Sequence, residues 1–336
     1  MAAYVIATLG SHSALQILKG AKDEGFTTAV VCKRGLEKPY KMFPVADKLM
    51  VIDDFRDFFS VEPELKKMNA IIIPHASFIA YMGTQMVERI TVPYFGNREV
   101  LRWEADRNLQ RQWLTEAGLK VPKIFTSPKD IDCSVIVKLH GAMGGRGYFI
   151  ANSEQDFKKK FALHNHTDDF VIQEYILGVP IYVHYFYSPL TGELEIMSFD
   201  RRFESNVDSL GRISARDQMA LDNVDPSYVI VGNLPLVVRE SLLPHFIDIG
   251  ERVVEKSKEL MGKGLYGPFC LEGIVTPSLE YFVFEISARI VAGTNPFIEG
   301  SPYTALRYSV PMSTGRRIAR EIKDAVAKGQ LQSVVT

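Results

Sequence analysis

Alternating strand-like and helix-like patterns over residues 4–95 predict an α/β protein whose first unit is a parallel sheet. Past Val121-Pro122 the alternation gives way to hairpins, which predicts two further sheet units of antiparallel character. Charged residues also stand inside otherwise apolar strand patterns, at Lys138, Glu272 and Glu285. Such side chains are costly to bury unless partnered, so these positions mark candidate chemistry.

In the first unit, Tyr4–Leu9 reads as a buried strand and Ser13–Glu24 as a helix closed by Gly25. Strands are expected at Thr27–Cys32, Leu49–Ile52 and Ala70–Pro74, helices at Glu62–Met68 and Phe78–Ile90. A last strand, Val92–Phe95, precedes one long helix, Arg98–Ala117. Parallel sheets bind ligands beyond the carboxyl ends of their strands. Two such ends are polar: Gly10-Ser-His-Ser13 and Pro74-His-Ala-Ser77. Ser11 or Ser13 suits a helix cap; His12 does not, and is the preferred ligand contact.

The run Val135-Ile-Val-Lys-Leu-His-Gly-Ala-Met-Gly-Gly-Arg-Gly-Tyr-Phe-Ile150 reads as strand, glycine loop, strand. Glycine permits positive φ and close approach of backbone amides to a phosphate. A Walker-type loop and the Gly-x-Gly-x-x-Gly dinucleotide fingerprint are both absent, which argues against a nicotinamide-dependent oxidoreductase. Beyond it come helix Ser153–Ala162, strand Val171–Ile176, strands Ile181–Tyr187 and Leu194–Phe199, and the charged strand end Asp200-Arg-Arg-Phe-Glu204. Amphipathic helices are expected at Leu242–Met261 and Ser313–Lys328, both packing on the C-terminal sheet.

Phe269–Val275 and Tyr281–Ile286 form a hairpin about Thr276-Pro-Ser-Leu-Glu280. A loop centred on Ser278 and Leu279 pairs 276 with 281 and sets Glu272 directly opposite Glu285. Opposed like charges destabilise an antiparallel pair. A hard cation reverses that, since Mg²⁺ takes a few carboxylates plus substrate phosphates.

The 336 residues carry a formal net charge of −1, so any anion must be held by a local cluster, and neither nucleic acid nor a membrane is an expected partner. No run reaches the roughly 20 apolar residues of a membrane span. Met1–Leu9 lacks the basic start of a secretory leader. Cys32, Cys133 and Cys270 are odd in number and lie in apolar runs, as reduced thiols of a cytoplasmic protein do.

Taken together, these parts resemble the ATP-grasp superfamily along almost the whole chain. The resemblance implies a Rossmann-like domain over residues 1–122, a lid with the glycine loop over 123–190, and a catalytic domain over 191–336. Glu285-Ile-Ser-Ala-Arg289 is similar to that superfamily's Glu-x-Asn-x-Arg ending, with Ser287 in the asparagine's place. It implies Glu272 and Glu285 as Mg²⁺ ligands (Mn²⁺ as alternative), and Arg289 and Lys138 as catalytic. ATP is expected to meet Lys138, Gly144, Gly145, Arg146 and Gly147, with Gln173, Glu174, Tyr175 and Ile176 edging the adenine. Val179-Pro-Ile181 stands where relatives carry a ribose-binding acid, so Glu204 is the candidate for that contact.

More narrowly, Gly10-Ser-His-Ser-Ala-Leu15, Val137–Gly147 and Val179–Tyr187 resemble one archaeal-type family, the 5-formaminoimidazole-4-carboxamide ribonucleotide synthetases. This implies ATP- and formate-dependent formylation of aminoimidazole carboxamide ribonucleotide in purine synthesis, through formyl phosphate, by a homo-oligomer. It also implies His12, Ser77 and Asn233 as ribonucleotide contacts. Two alternatives stand beside it: an ATP-grasp ligase for another acid or amine, and a nucleotide-binding paralogue without turnover.

Overall fold

The computed structural model describes residues 4–139, 147–163, 170–221 and 227–336. Three sheets organise them. The first is parallel, in the order β3-β2-β1-β4, formed by β1 (Val5–Leu9), β2 (Thr27–Lys33), β3 (Lys48–Ile52) and β4 (Ala70–Ile72). Every residue of β1 is buried, as a strand covered on both faces requires.

The expected strand Val92–Phe95 makes only isolated bridges, Tyr94 to Ile72 and Phe95 to Val335. The chain's last residues take its other edge, with Tyr94 and Thr336 exchanging backbone hydrogen bonds of 3.0 and 2.8 Å. The single helix expected over 98–117 is two, Glu99–Ala105 and Arg107–Glu116. Asp106 breaks it: its backbone is extended, and its carboxylate accepts from the N–H groups of Asn108 (2.8 Å) and Leu109 (3.0 Å). The cap starts a new helix more favourably than it continues the old one. Gly83, at φ 77°, likewise interrupts the helix expected over 78–90.

The second sheet has the order β5-β8-β6-β7, from β5 (Ile124–Phe125), β6 (Val135–Leu139), β7 (Tyr148–Ala151) and β8 (Phe170–Glu174). Its own small core joins Val135, Val137, Phe149 and Ile172 to Phe157 of the helix Glu154–Phe161.

The third sheet is antiparallel, in the order β11-β10-β9-β12-β13. Its strands are β9 (Val179–Tyr187), β10 (Leu194–Glu204), β11 (Ile230–Leu236), β12 (Gly267–Val275) and β13 (Tyr281–Ser287). Residues 179–187, grouped with the lid from sequence, are therefore the central strand of this sheet. Apart from His184 their side chains are apolar or aromatic on both faces, and Ile181, Val183 and Tyr185 pack in one core with Phe246, Ile249 and Val253 of the helix Leu243–Met261.

The helix Thr314–Ala327 packs on the first unit as well as the third sheet. Gly20 and Gly315 meet where it crosses the helix Ala14–Asp23, and a Cβ at residue 20 would lie 2.2 Å from the Arg316 nitrogen. Ile318 and Ile322 share a core with Ile6 and Ile71 from one sheet and Phe186 and Met197 from the other. At this crossing the buried Glu24 is held by Arg316, Arg320 and Lys323. Burial pushes its carboxyl up, but the arginines outweigh that and bring it down to about 2.

Candidate active site

β1 and β4 are neighbours at the edge where strand order reverses, so the turns that follow them meet. Ser77 Oγ donates to Ser11 Oγ at 3.0 Å. His75, which carries no signal in the sequence beyond its polar strand end, anchors the arrangement. Its Nδ1 accepts from the Ser77 N–H (3.3 Å) and its Nε2 therefore donates to the Leu9 carbonyl (3.0 Å). The His12 ring stacks on His75, with centroids 5.5 Å apart. Its backbone takes φ 55°, a left-handed conformation that is costly without a functional or structural reason. The reason is tertiary: Asn295 donates to the His12 carbonyl (3.3 Å) while Gln16 grips Thr294 and Asn295. Ser13 precedes the helix, yet its hydroxyl meets His12 Nδ1 at 2.9 Å and does not cap. Desolvation, then the charges of His75, Arg289 and Arg202, bring His12 down to about 2. His12 is thus a neutral ring with one side accessible, facing the same cleft as the two arginines.

The carboxylate hairpin forms with Glu272 opposite Glu285. The path to that register differs from expectation. Val275, not Thr276, pairs with Tyr281, because the turn is one residue longer and puts Leu279 at φ 64°. A bulge at Phe284 takes up the extra residue and restores the opposition. Opposed residues share a face, and strand pairing continues that face through Tyr182 of β9 and Asp200 of β10. Asp200 and Arg202 of that strand therefore line the site, while Arg201, between them on the other face, is exposed.

The two glutamates differ in setting. Glu272 is buried, with one oxygen taking Arg202 at 2.6 Å and the other taking the Ser287 hydroxyl at 3.1 Å. Arg202 also stacks on the Tyr182 ring at 3.7 Å. Burial raises the Glu272 carboxyl, but Arg202 outweighs burial and holds it below the usual carboxylate range. Glu285 is open to the cleft, and desolvation together with the Glu272 charge pushes it up to about 7. Two carboxylates driven apart in this way favour a cation between them. The donor set fits Mg²⁺, which is satisfied by one or two carboxylates when phosphates complete its shell. Ser287, in the asparagine's position, braces Glu272.

Lys138 stands on β6 with its ammonium 3.0 Å from Gln173 Oε1 of β8. Burial lowers its pKa against the opposing pull of Glu285, which places the lysine within the field of the carboxylate hairpin. Of the glycine loop, Gly147 is described, at φ 78°; Gly144, Gly145 and Arg146 lie outside the described residues. Glu174 turns away from the cleft to accept the Lys123 N–H at 3.0 Å. The Tyr175 N–H bonds the Ser134 carbonyl (2.9 Å), and Ile176 follows as the chain leaves β8. Burial and Asp208 push Glu204 up to about 7.

Arg289 is ion-paired to Glu104 at 2.9 Å, and Glu104 also accepts the Ala288 N–H at 2.8 Å. Glu104 carries no sequence signal: it is one acid in the last turn of the helix Glu99–Ala105. Asn233 is not a turn residue. It lies on β11 opposite Arg202, and its amide nitrogen donates to Asp200 at 2.8 Å.

Comparison with known proteins places the chain in a family and a fold. Residues 149–336 match the family model "Domain of unknown function (DUF1297)", and residues 6–125 match "Protein of unknown function (DUF1246)". A 5-formaminoimidazole-4-carboxamide-1-(beta)-D-ribofuranosyl 5'-monophosphate synthetase from Pyrococcus horikoshii is 59% identical, over 98% of this chain and 99% of that one. The crystal structure of an IMP biosynthesis protein PurP from Thermococcus kodakaraensis superposes with a TM-score of 0.76. It is 31% identical and covers 98% of this chain and 100% of that chain. An ADP complex of an N5-carboxyaminoimidazole ribonucleotide synthetase shares the ATP-grasp fold at TM-score 0.66 and 15% identity, over 96% of this chain and 77% of its own. The chain therefore has the ATP-grasp fold and belongs to the family of 5-formaminoimidazole-4-carboxamide ribonucleotide synthetases.

Proposed function

We propose that the chain is a carbon–nitrogen ligase that uses ATP to join formate to the 5-amine of aminoimidazole carboxamide ribonucleotide. The observation that carries the reading is the opposed Glu272–Glu285 pair, with Lys138 and Arg289 both acting electrostatically on Glu285. Formate is a poor acyl donor because hydroxide is a poor leaving group. Attack of a formate oxygen on the γ-phosphorus expels ADP and gives formyl phosphate. The 5-amine then attacks the formyl carbon, the nitrogen loses a proton, and phosphate leaves.

Such phosphoryl transfer depends chiefly on positioning and charge neutralisation. Lys138 and the amides of the loop ending at Gly147 hold the ATP phosphates, Gly144, Gly145 and Arg146 among them. Gln173, Glu174, Tyr175 and Ile176 border the adenine, Glu174 through its backbone since its side chain faces Lys123. Glu204 serves the ribose. Glu272 and Glu285 would hold Mg²⁺, or Mn²⁺ in its place, which would supply positive charge to screen the phosphates. Arg289, aimed by Glu104, meets the moving phosphoryl group. His12, Ser77 and Asn233 hold the ribonucleotide, and the neutral His12 ring offers a hydrogen bond without a competing positive charge.

Among the described residues no helix is long and apolar enough to cross a membrane. Three free cysteines support a cytoplasmic setting. Exposed Ile230, Val231 and Leu234 on the edge strand β11 support a homo-oligomer.

The test is ADP release from Mg-ATP with formate and the ribonucleotide, each omitted in turn. Turnover that needs every component, with formylated ribonucleotide appearing in step with ADP, is expected. ADP release that ignores formate, or that responds to a different amine, rejects the assignment.

A further inference from the structure

Behind Asn233 lies a buried pair that the proposed chemistry does not use. Asp200 is fully buried on β10, and one of its oxygens accepts from Asn233 Nδ2 at 2.8 Å. The other lies 2.7 Å from Nε2 of His184, itself 1% exposed on the adjacent strand β9. The far ring nitrogen of His184, Nδ1, is buried with no partner among the described residues. The pair is closely fitted: a Cβ at Gly293 would fall 2.3 Å from the Asp200 oxygen and 2.8 Å from His184 Cε1. Two residues on, Asn295 holds the His12 carbonyl, so one loop backs both His12 and the Asp200–His184 pair.

A carboxylate only accepts hydrogen bonds, so Asp200 dictates which way the Asn233 amide lies. The nitrogen must face Asp200, and the carbonyl Oδ1 is turned to the far side. His184 does the same for Asp200: by donating from Nε2 it fixes the carboxylate in plane and shares its charge. The result is a side-chain acceptor of known orientation, backed by negative charge. Such a group attracts an N–H donor and repels a carboxylate.

We propose that Asp200 and His184 are positioning residues that set Asn233 to select a ribonucleotide bearing a carboxamide over one bearing a carboxylate at the same ring position. This rests on Asn233 meeting the ribonucleotide, as in the function proposed above. A site built around a substrate N–H rejects analogues lacking it far more strongly than an apolar pocket rejects a size change. Asn233 at the end of an aspartate–histidine chain is such a site, whereas a freely rotating asparagine would accept either ligand.

The experiment measures dissociation constants of two synthetic imidazole ribonucleotide 5'-monophosphates, carboxamide and carboxylate, by calorimetry. Four proteins are compared: wild type, D200N, H184L and H184Q. Wild type is expected to prefer the carboxamide by about 10²-fold or more. D200N lets the Asn233 amide lie either way, and is expected to lose at least about tenfold of that preference. H184L should lose part of it, and H184Q, which keeps a donor toward Asp200, should retain it within a few-fold. If D200N does not fold, the H184L and H184Q pair carries the comparison, because loss of packing alone weakens both ligands equally. Equal wild-type affinity for the two ligands overturns the assignment, as does full preference in both D200N and H184L. Wild type that binds neither ribonucleotide overturns the proposed function together with it.

Discussion

Glu285→Gln is expected to cut ADP formation by about 10²–10³-fold or more, the scale of losing a charge-stabilising group at a transferring centre. The amide keeps the shape of the side chain but removes the charge that, opposite Glu272, would draw a divalent cation into the hairpin under the proposed function. Stability should not suffer. In the wild type, desolvation and Glu272 raise the Glu285 carboxyl to about 7, a sign that its ionised form is held at a cost. A neutral glutamine removes that repulsion, so the melting temperature at pH 8 should hold or rise while activity collapses. Titrating Mg²⁺ separates this from misfolding: excess metal should recover part of the rate. Near-normal turnover with an unchanged Mg²⁺ requirement would remove Glu285 from the metal site.

Arg289→Lys should lower kcat by about 10²–10³-fold and leave the KM for ATP within a few-fold. The guanidinium is almost buried and pairs with Glu104, while its Nε is buried with no partner among the described residues. Lysine preserves the charge opposite Glu104 but offers a single flexible donor, which does not reproduce fork-shaped contact with an anion. Arginine to alanine is a poorer test. It strands the buried Glu104, whose carboxyl desolvation already raises, and breaking such a pair costs about 3–5 kcal/mol of stability. A lysine variant with unchanged kcat and a raised KM for ATP would move Arg289 from the transfer step to ground-state binding.

The hairpin, the lysine and the two polar strand ends are legible in the sequence because each breaks a local pattern. Charges at Lys138, Glu272 and Glu285 interrupt apolar alternation, and His12 does not suit the cap position it adjoins. The opposition of the two glutamates follows from the wrong turn as well as from the right one, since a one-residue longer turn and a one-residue bulge cancel. What stays hidden depends on chain segments far apart in sequence. Glu104 pairs with Arg289 far along the chain, from the end of a helix that periodicity alone would run through Asp106. Arg202 and Asp200 read as solvated charges, since their partners Glu272 and His184 lie 70 and 16 residues away. Asn233 sits beside Gly232 and Pro235, which look like a turn, yet β11 pairs with β10 through Pro235 as an edge strand can. The helix Thr314–Ala327 cannot be placed on the first unit from its own amphipathic pattern. The glycines that admit it, Gly20 and Gly315, are 295 residues apart, 315 − 20.

The transfer of one formate oxygen to phosphate is the measurement that most directly tests the chemistry. Turnover with [¹⁸O₂]formate, ATP and the ribonucleotide in unlabelled water should place one ¹⁸O in the released phosphate and leave one in the new formyl group. That pattern requires a formate oxygen to have bonded the γ-phosphorus before the amine attacked. Label found in AMP, or phosphate carrying no ¹⁸O, would contradict a formyl phosphate path and, with it, the roles of Lys138, Glu272, Glu285 and Arg289 in phosphoryl transfer.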